Sequence, residues 1–200
     1  MAQRIAERVD ELLDTVLALK RELAVAGNRV AASSPDYVRA IAAAPGRLGA
    51  QPLSQPYEEI APGLTVGFHQ GSRPDLHLRS DPGRGLEIAL RQPTSSGWVT
   101  LEMEWDAAAL REKGRATLLL RGSALQPLRL ACLLRCAGPG GASADLPGKA
   151  IELGPQPGFH AAEFVGPAGA AAWEGLQGCR VIVFCPVTPF SMTLTELSLI

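Results

Sequence analysis

The chain is short of lysine, of aromatic side chains and of net charge, and each shortage excludes something. Only Lys20, Lys113 and Lys149 are lysines among 200 residues, so the basic charge is nearly all arginine. Arginine together with abundant Ala, Gly and Pro is the compositional bias of a GC-rich, bacterial genome, which singles out no individual Arg. A net charge of −1 gives no electrostatic reason to expect nucleic acid or an anionic membrane as partner. No apolar run approaches the ~18 residues of a membrane span. The N-terminal MAQRIAERVDELLD is charged throughout and has no apolar core of a secretory signal. The expected location is therefore the cytoplasm, or a particle or exterior reached without a Sec signal peptide.

Catalytic equipment is scarce as well. The three histidines, His69, His77 and His160, form no metal-spaced pair. There is no GxSxG nucleophile elbow. Gly148-Lys149 invites a phosphate-loop reading, but Ser143 stands where the motif needs its first glycine and Ala150 where it needs Ser or Thr. Cys132 and Cys136 are in phase with Leu128, Leu130 and Leu134, and Cys185 with Val181 and Val183. Such cysteines read as buried thiols rather than as zinc ligands, whose pairs are spaced C-x2-C. No side-chain metal site and no cofactor is expected, which leaves open only calcium held through backbone carbonyls.

What is present begins with a ladder. Ile5, Val9, Leu12, Val16, Leu19, Leu23, Ala26 and Val30 alternate steps of four and three residues. That is the a/d seam of a left-handed coiled coil, here over residues 1–30. β-Branched a positions with Leu at d favour two strands, whereas Leu13 and Leu17 widen the stripe. A wider stripe suits a trimer, or a helix folded back on its own domain. Residues 31–63 read as a connector. It contains a short helix capped by Ser34, with Pro35 at its first position and Pro45 ending it. A proline-rich stretch without regular structure follows.

From Leu64 the period becomes two. The pattern predicts strands over 64–70, 76–80, 85–92, 98–105, 116–122, 128–137, 149–154, 158–164, 180–187 and 190–200, with turn-forming segments between them. Helical inserts are predicted after Trp105 and before Cys179, the second carrying Trp173 as a plug. Many short strands with few helices predict a mostly β fold: an antiparallel two-sheet jelly-roll sandwich over 64–200, preceded by the coiled-coil-like helix. Val99, Leu101, Met103 and Trp105 share one face of their strand, and Leu86, Ile88 and Leu90 one face of theirs. Trp98, Thr100, Glu102 and Glu104 face away.

An outward Trp on a polar sheet face is a candidate ligand platform, since sugars stack their apolar faces on aromatic rings. The alternative tucks Trp98 under the connector or a loop. His69, Arg73, Asp75 and His77 fall on one predicted hairpin and could rim a site made by Trp98 and Glu102. They serve equally as turn and edge polar groups. Glu102 and Glu104, two apart on one strand face, could support glycoside hydrolysis. They could equally form a charge ladder with arginines on neighbouring strands, for which Arg79, Arg91, Arg121, Arg129 and Arg135 are available.

The ending RVIVFCPVTPFSMTLTELSLI resembles the last two strands of galactose-binding-like jelly rolls, the fold of many carbohydrate-binding modules. Phe190, Met192 and Leu194 keep one parity and Leu197 and Leu199 the other, with Thr195-Glu196 switching between them as a bulge would. The resemblance implies a non-catalytic sandwich that binds glycan on a sheet face or loop rim. It assigns no ligand residue, because such modules place those contacts in variable loops. The combined expectation is a carbohydrate- or surface-recognising sandwich gathered by self-association, as dimer or trimer, through Ile5, Val9, Leu12, Val16, Leu19 and Leu23. Such a design suits a polysaccharide-handling accessory protein or a phage-like spike. The alternatives are an adaptor docked on a larger assembly through its helix, and a glycan-active enzyme using Glu102 and Glu104.

Overall fold

A computed structural model describes residues 36–43, 48, 52–81, 83–92, 95, 97–166 and 175–200. The heptad ladder from Ile5 to Val30, Ser34, Pro35, Pro45 and Trp173 lie outside the described residues. Two antiparallel sheets face each other across one apolar core, as the period-two patterning predicts.

The first sheet contains β1 (Glu58–Ala61), β2 (Leu64–Phe68), β5 (Val99–Trp105), β11 (Gly178–Cys185) and β7 (Leu128–Ala137), in that spatial order. The far side of β7 is covered by two short strands, β8 (Ser143–Pro147) and β9 (Ile151–Leu153). The second sheet runs β10 (Gly158–Val165), β6 (Arg115–Ala124), β12 (Phe190–Leu199), β4 (Gly85–Leu90) and β3 (Leu76–Asp81). The chain changes sheet between β2 and β3, β4 and β5, β5 and β6, β6 and β7, β9 and β10, β10 and β11, and β11 and β12. Repeated crossing of this kind is what a jelly roll does.

The core sits where alternation places it. Val99, Leu101 and Met103 on β5 and Leu86, Ile88 and Leu90 on β4 are almost fully enclosed, and Trp105 is buried. Cys132, Cys136, Cys179 and Cys185 are all buried as free thiols. On β12 the pairing register with β6 shifts between Leu194 and Glu196. Met192 and Leu194 before that bulge, and Leu197 and Leu199 after it, all reach the core. The extra residue lets both halves bury their apolar set, as the parity switch predicts.

Beyond the start of β4, where the second sheet would leave β12 open, a short helix α1 (Tyr37–Ala43) packs instead. Its N-cap is Asp36: Oδ1 accepts from Val38 N at 3.1 Å and also from Leu197 N at 3.4 Å. Tyr37, Val38 and Ile41 enter the core, and the Tyr37 hydroxyl donates to Glu104 O at 3.3 Å. A second helix, α2 (Ala107–Lys113), joins β5 to β6. It is capped by Asp106 and ended by Gly114 in the left-handed region.

Two predicted loops are strands. Glu58–Ala61 pairs with β2 inside the proline-rich connector, so the sheet begins before Leu64. Ser143–Pro147, read as part of a long turn, pairs with β7. Both are short edge strands, which the ladder recruits whatever their intrinsic propensity. Gly148, in the rejected phosphate-loop segment, has a packing role: a Cβ there would run into the ring of Phe164.

Candidate functional site

The outer face of the first sheet carries a connected set of polar and aromatic groups. Its centre is Gly67 on β2. Gly67 pairs with Thr100 on β5, and a Cβ at position 67 would lie 2.5 Å from Thr100 Oγ1, 3.0 Å from Glu102 Oε1 and 3.1 Å from the Trp98 ring. Those three side chains converge over the space that glycine leaves open. Tyr57 joins them from the turn before β1, with its ring centroid 5.6 Å from that of Trp98 and the planes tilted by 48°.

Tyr57 is the only non-glycine residue among those described with positive φ, at 59°. A left-handed aromatic residue stores strain of about 1–3 kcal/mol and persists only where its surroundings impose it. Here it holds a half-exposed ring beside Trp98. Trp98 is itself half-buried, so both sequence readings of it are partly met: it faces outward, and the connector's Tyr57 packs against it.

A charge network fixes the polar part. The Glu102 side chain is only 7% exposed. Its Oε1 accepts from Thr100 Oγ1 at 2.9 Å and its Oε2 from Arg180 Nη1 at 2.9 Å. Arg180 Nη2 also lies 3.6 Å from Glu104 Oε1. Among the described residues the ion-pair partner of both glutamates is thus Arg180, on β11; of the five arginines put forward from sequence, Arg135 stands one strand further along and feels the Glu102 charge. Register continues the row: Glu104 opposes Arg180, Arg180 opposes Arg135, and Arg135 opposes Asp145. Arg135 forms a two-point pair with Asp145, both bonds at 2.8 Å. This hydrogen bonding holds the Asp145 carboxyl below its usual range and raises the Arg135 guanidinium further. Signs along the row read minus, plus, plus, minus. Beside it, buried Ile182 opposes Glu102 and half-buried Phe184 opposes Thr100.

The predicted rim divides between the two sheets. β2 and β3 belong to different sheets, so the hairpin expected to carry His69, Arg73, Asp75 and His77 does not exist. His69, one step beyond the Phe68–Val99 pair, follows the first sheet's outer face next to Trp98. Arg73 is exposed on the crossing segment. Asp75 and His77 go with the second sheet, where His77 Nε2 lies 2.6 Å from Asp75 Oδ1, on the face opposite core residues Leu76 and Leu78. They are thus on a different sheet from the one that Trp98 adjoins. Tyr57, Gly67 and Arg180 were not legible as site residues. Only the sheet pairing brings them there.

Chemically, the arrangement offers an aromatic pair and an ordered row of charged groups, of which Glu104 and Arg180 reach solvent. It does not resemble two carboxylates facing each other across a scissile bond. Glu102 and Glu104 share one guanidinium on a single strand face, and Glu102 is covered.

No protein-family model matches the chain, and no curated protein matches it. Solved structures to which it is similar include carbohydrate-binding-module β-sandwich domains. A CBM4 structure is 15% identical over 70% of this chain and 94% of that one, at TM-score 0.44. The N-terminal cellulose-binding domain of β-1,4-glucanase C from Cellulomonas fimi is 17% identical over 74% of this chain and 97% of that one, at TM-score 0.45. The CBM22-1 xylan-binding domain of Xyn10C from Paenibacillus barcinonensis is 12% identical over 76% and 96%, at TM-score 0.42.

Proposed function

We propose that this sandwich is a non-catalytic carbohydrate-binding domain that uses the outer face of its first sheet. The observation that carries the reading is the Tyr57–Trp98 pair over Gly67, with one member held in a strained backbone state. A folded chain tolerates such strain where the side chain's position is worth its cost. Aromatic rings receive the apolar C–H faces of a pyranose. The exposed Glu104 carboxylate and the part-exposed Arg180 guanidinium offer hydrogen-bonding groups that are ordered before a ligand arrives, held by the covered Thr100 and Glu102, which limits the entropy lost on binding.

Glycan binding of this kind is weak per site, and repetition is the usual remedy. The heptad residues Ile5, Val9, Leu12, Val16, Leu19 and Leu23 are proposed to gather copies of the chain. Linked sites gain about 10²–10⁴ in avidity when the geometry lets them engage together. Binding of the intact chain to a glycan array, repeated on Trp98→Ala, tests the site. Solution mass with and without residues 1–30 tests the gathering. Array signals that persist in Trp98→Ala, or a monomeric mass in both forms, overturn the respective part.

A further inference from the structure

The outer face of the second sheet carries a cleft with different chemistry. It has a volume of about 310 Å³ and runs over β3, β4, β12 and β6. Its floor is one cross-strand row. Arg79 opposes Glu87, Glu87 opposes Thr193, and Thr193 opposes Ser123. Four adjacent strands at about 4.8 Å spacing make this row about 14 Å long. The turn after β3 closes one end: Gly83 N donates to Asp81 Oδ1, and Gly85 takes a left-handed φ of 96°. That turn brings Arg84 to the rim. At the other end Leu125, 80% exposed, forms an apolar lip with Pro155.

Among the described residues, no hydrogen bond or ion pair engages the side chains of Arg79, Glu87, Thr193 or Ser123. The first sheet's polar groups hold one another, whereas these remain open to a ligand. The row contains a pure donor, a pure acceptor and two hydroxyls that do both. Guanidinium and carboxylate stand side by side, so an anion would meet Glu87 and a cation would meet Arg79. A neutral ligand rich in hydroxyl groups meets neither penalty, because each hydroxyl can donate to Glu87 and accept from Arg79. The Leu125 lip supplies contact for the C–H surface of a ring, and no aromatic ring lines the cleft.

We propose that this cleft is a second binding site, for one or two rings of a neutral saccharide, independent of the Trp98 face. The size fits, since pockets for small ligands begin at about 300 Å³.

The test is NMR titration of the intact chain with neutral β-1,4-gluco-, β-1,4-xylo- and α-1,4-gluco-oligosaccharides. It is run on the wild type, on Trp98→Ala, and on Glu87→Gln/Thr193→Val, whose changes are near-isosteric and surface-facing. Saturable shifts at residues 79, 87, 123 and 193 are expected with at least one sugar. They should persist in Trp98→Ala and weaken tenfold or more in the double variant, with its melting temperature retained. Shifts confined to the surroundings of Tyr57 and Trp98 would overturn the second site and leave the first standing. Shifts confined to the row would do the reverse. Row shifts unchanged in Glu87→Gln/Thr193→Val, or no shifts with any of the three sugars, would also overturn it.

Discussion

Replacing Arg180 with methionine tests the charge network that orders the first sheet's face. The change keeps most of the stem and deletes the guanidinium. Glu102, 7% exposed, then keeps its bond from Thr100 but loses the 2.9 Å bond to Nη1. A pair buried on both sides costs about 3–5 kcal/mol to break, and an exposed pair about 0.2–1 kcal/mol. Arg180 is 43% exposed, so this pair lies between those limits. The value of a hydrogen bond to a charged group, about 1.5–3 kcal/mol, is the appropriate figure. At about 2–4 °C per kcal/mol for a chain of this size, the melting temperature of Arg180→Met should fall by about 3–12 °C. Glu102→Gln/Arg180→Met removes both charges and keeps the acceptor for Thr100. It should recover part of the loss, giving a coupling energy of about 1 kcal/mol or more in a double-mutant cycle. Urea denaturation of the four proteins measures it. A single-variant loss below about 0.5 kcal/mol, or a coupling near zero, would refute the claim that this pair holds the face together.

Gly67→Ala should lose about 1–3 kcal/mol through overpacking, because the new methyl meets Thr100, Glu102 and Trp98. Its tryptophan fluorescence should shift as the ring is displaced, and an unchanged spectrum with unchanged stability would count against the crowding described. Burial and the nearby Glu104 raise the Tyr37 hydroxyl from 10.0 to about 12. Folding therefore favours its neutral form, and that stability is complete below pH 10 and lost as pH rises from 10 to about 12. Tyr37→Phe should show a smaller alkaline loss across this window, and an identical pH profile would contradict it. Burial also pushes the thiols of Cys132 and Cys185 up to about 12. Both should resist an aromatic disulfide reagent at pH 8 in the native state and react only after denaturation. Rapid labelling of either in the folded protein would place it outside the core.

The sequence displayed what depends on local period. The inward set of β5, the inward cysteines and the parity switch at Thr195-Glu196 all follow from alternation, which a strand cannot evade while one face is buried. It hid what depends on pairing. Arg180 meets Glu102 across 78 residues of chain, and only the β5–β11 register brings them together. Gly67 looks like a weak strand residue until its neighbours' side chains are placed over it. Tyr57 sits in a proline-rich segment whose edge strand carries no strong propensity signal. His69 and His77 seemed to be neighbours because a short loop separates their strands. In a jelly roll, however, a short loop can change sheets as readily as it closes a hairpin.

The central claim is that Trp98 and Tyr57 form a sugar-binding platform. Its most direct test is the affinity of the intact chain and of Trp98→Ala for a panel of soluble plant and bacterial polysaccharides, measured alongside melting temperature. Saturable binding by the wild type is expected. Trp98→Ala should lose about tenfold or more in affinity, equivalent to about 1.4 kcal/mol, with a melting temperature within a few degrees of the wild type. Binding that survives the substitution unchanged would contradict it, as would a variant that unfolds because Trp98 is core.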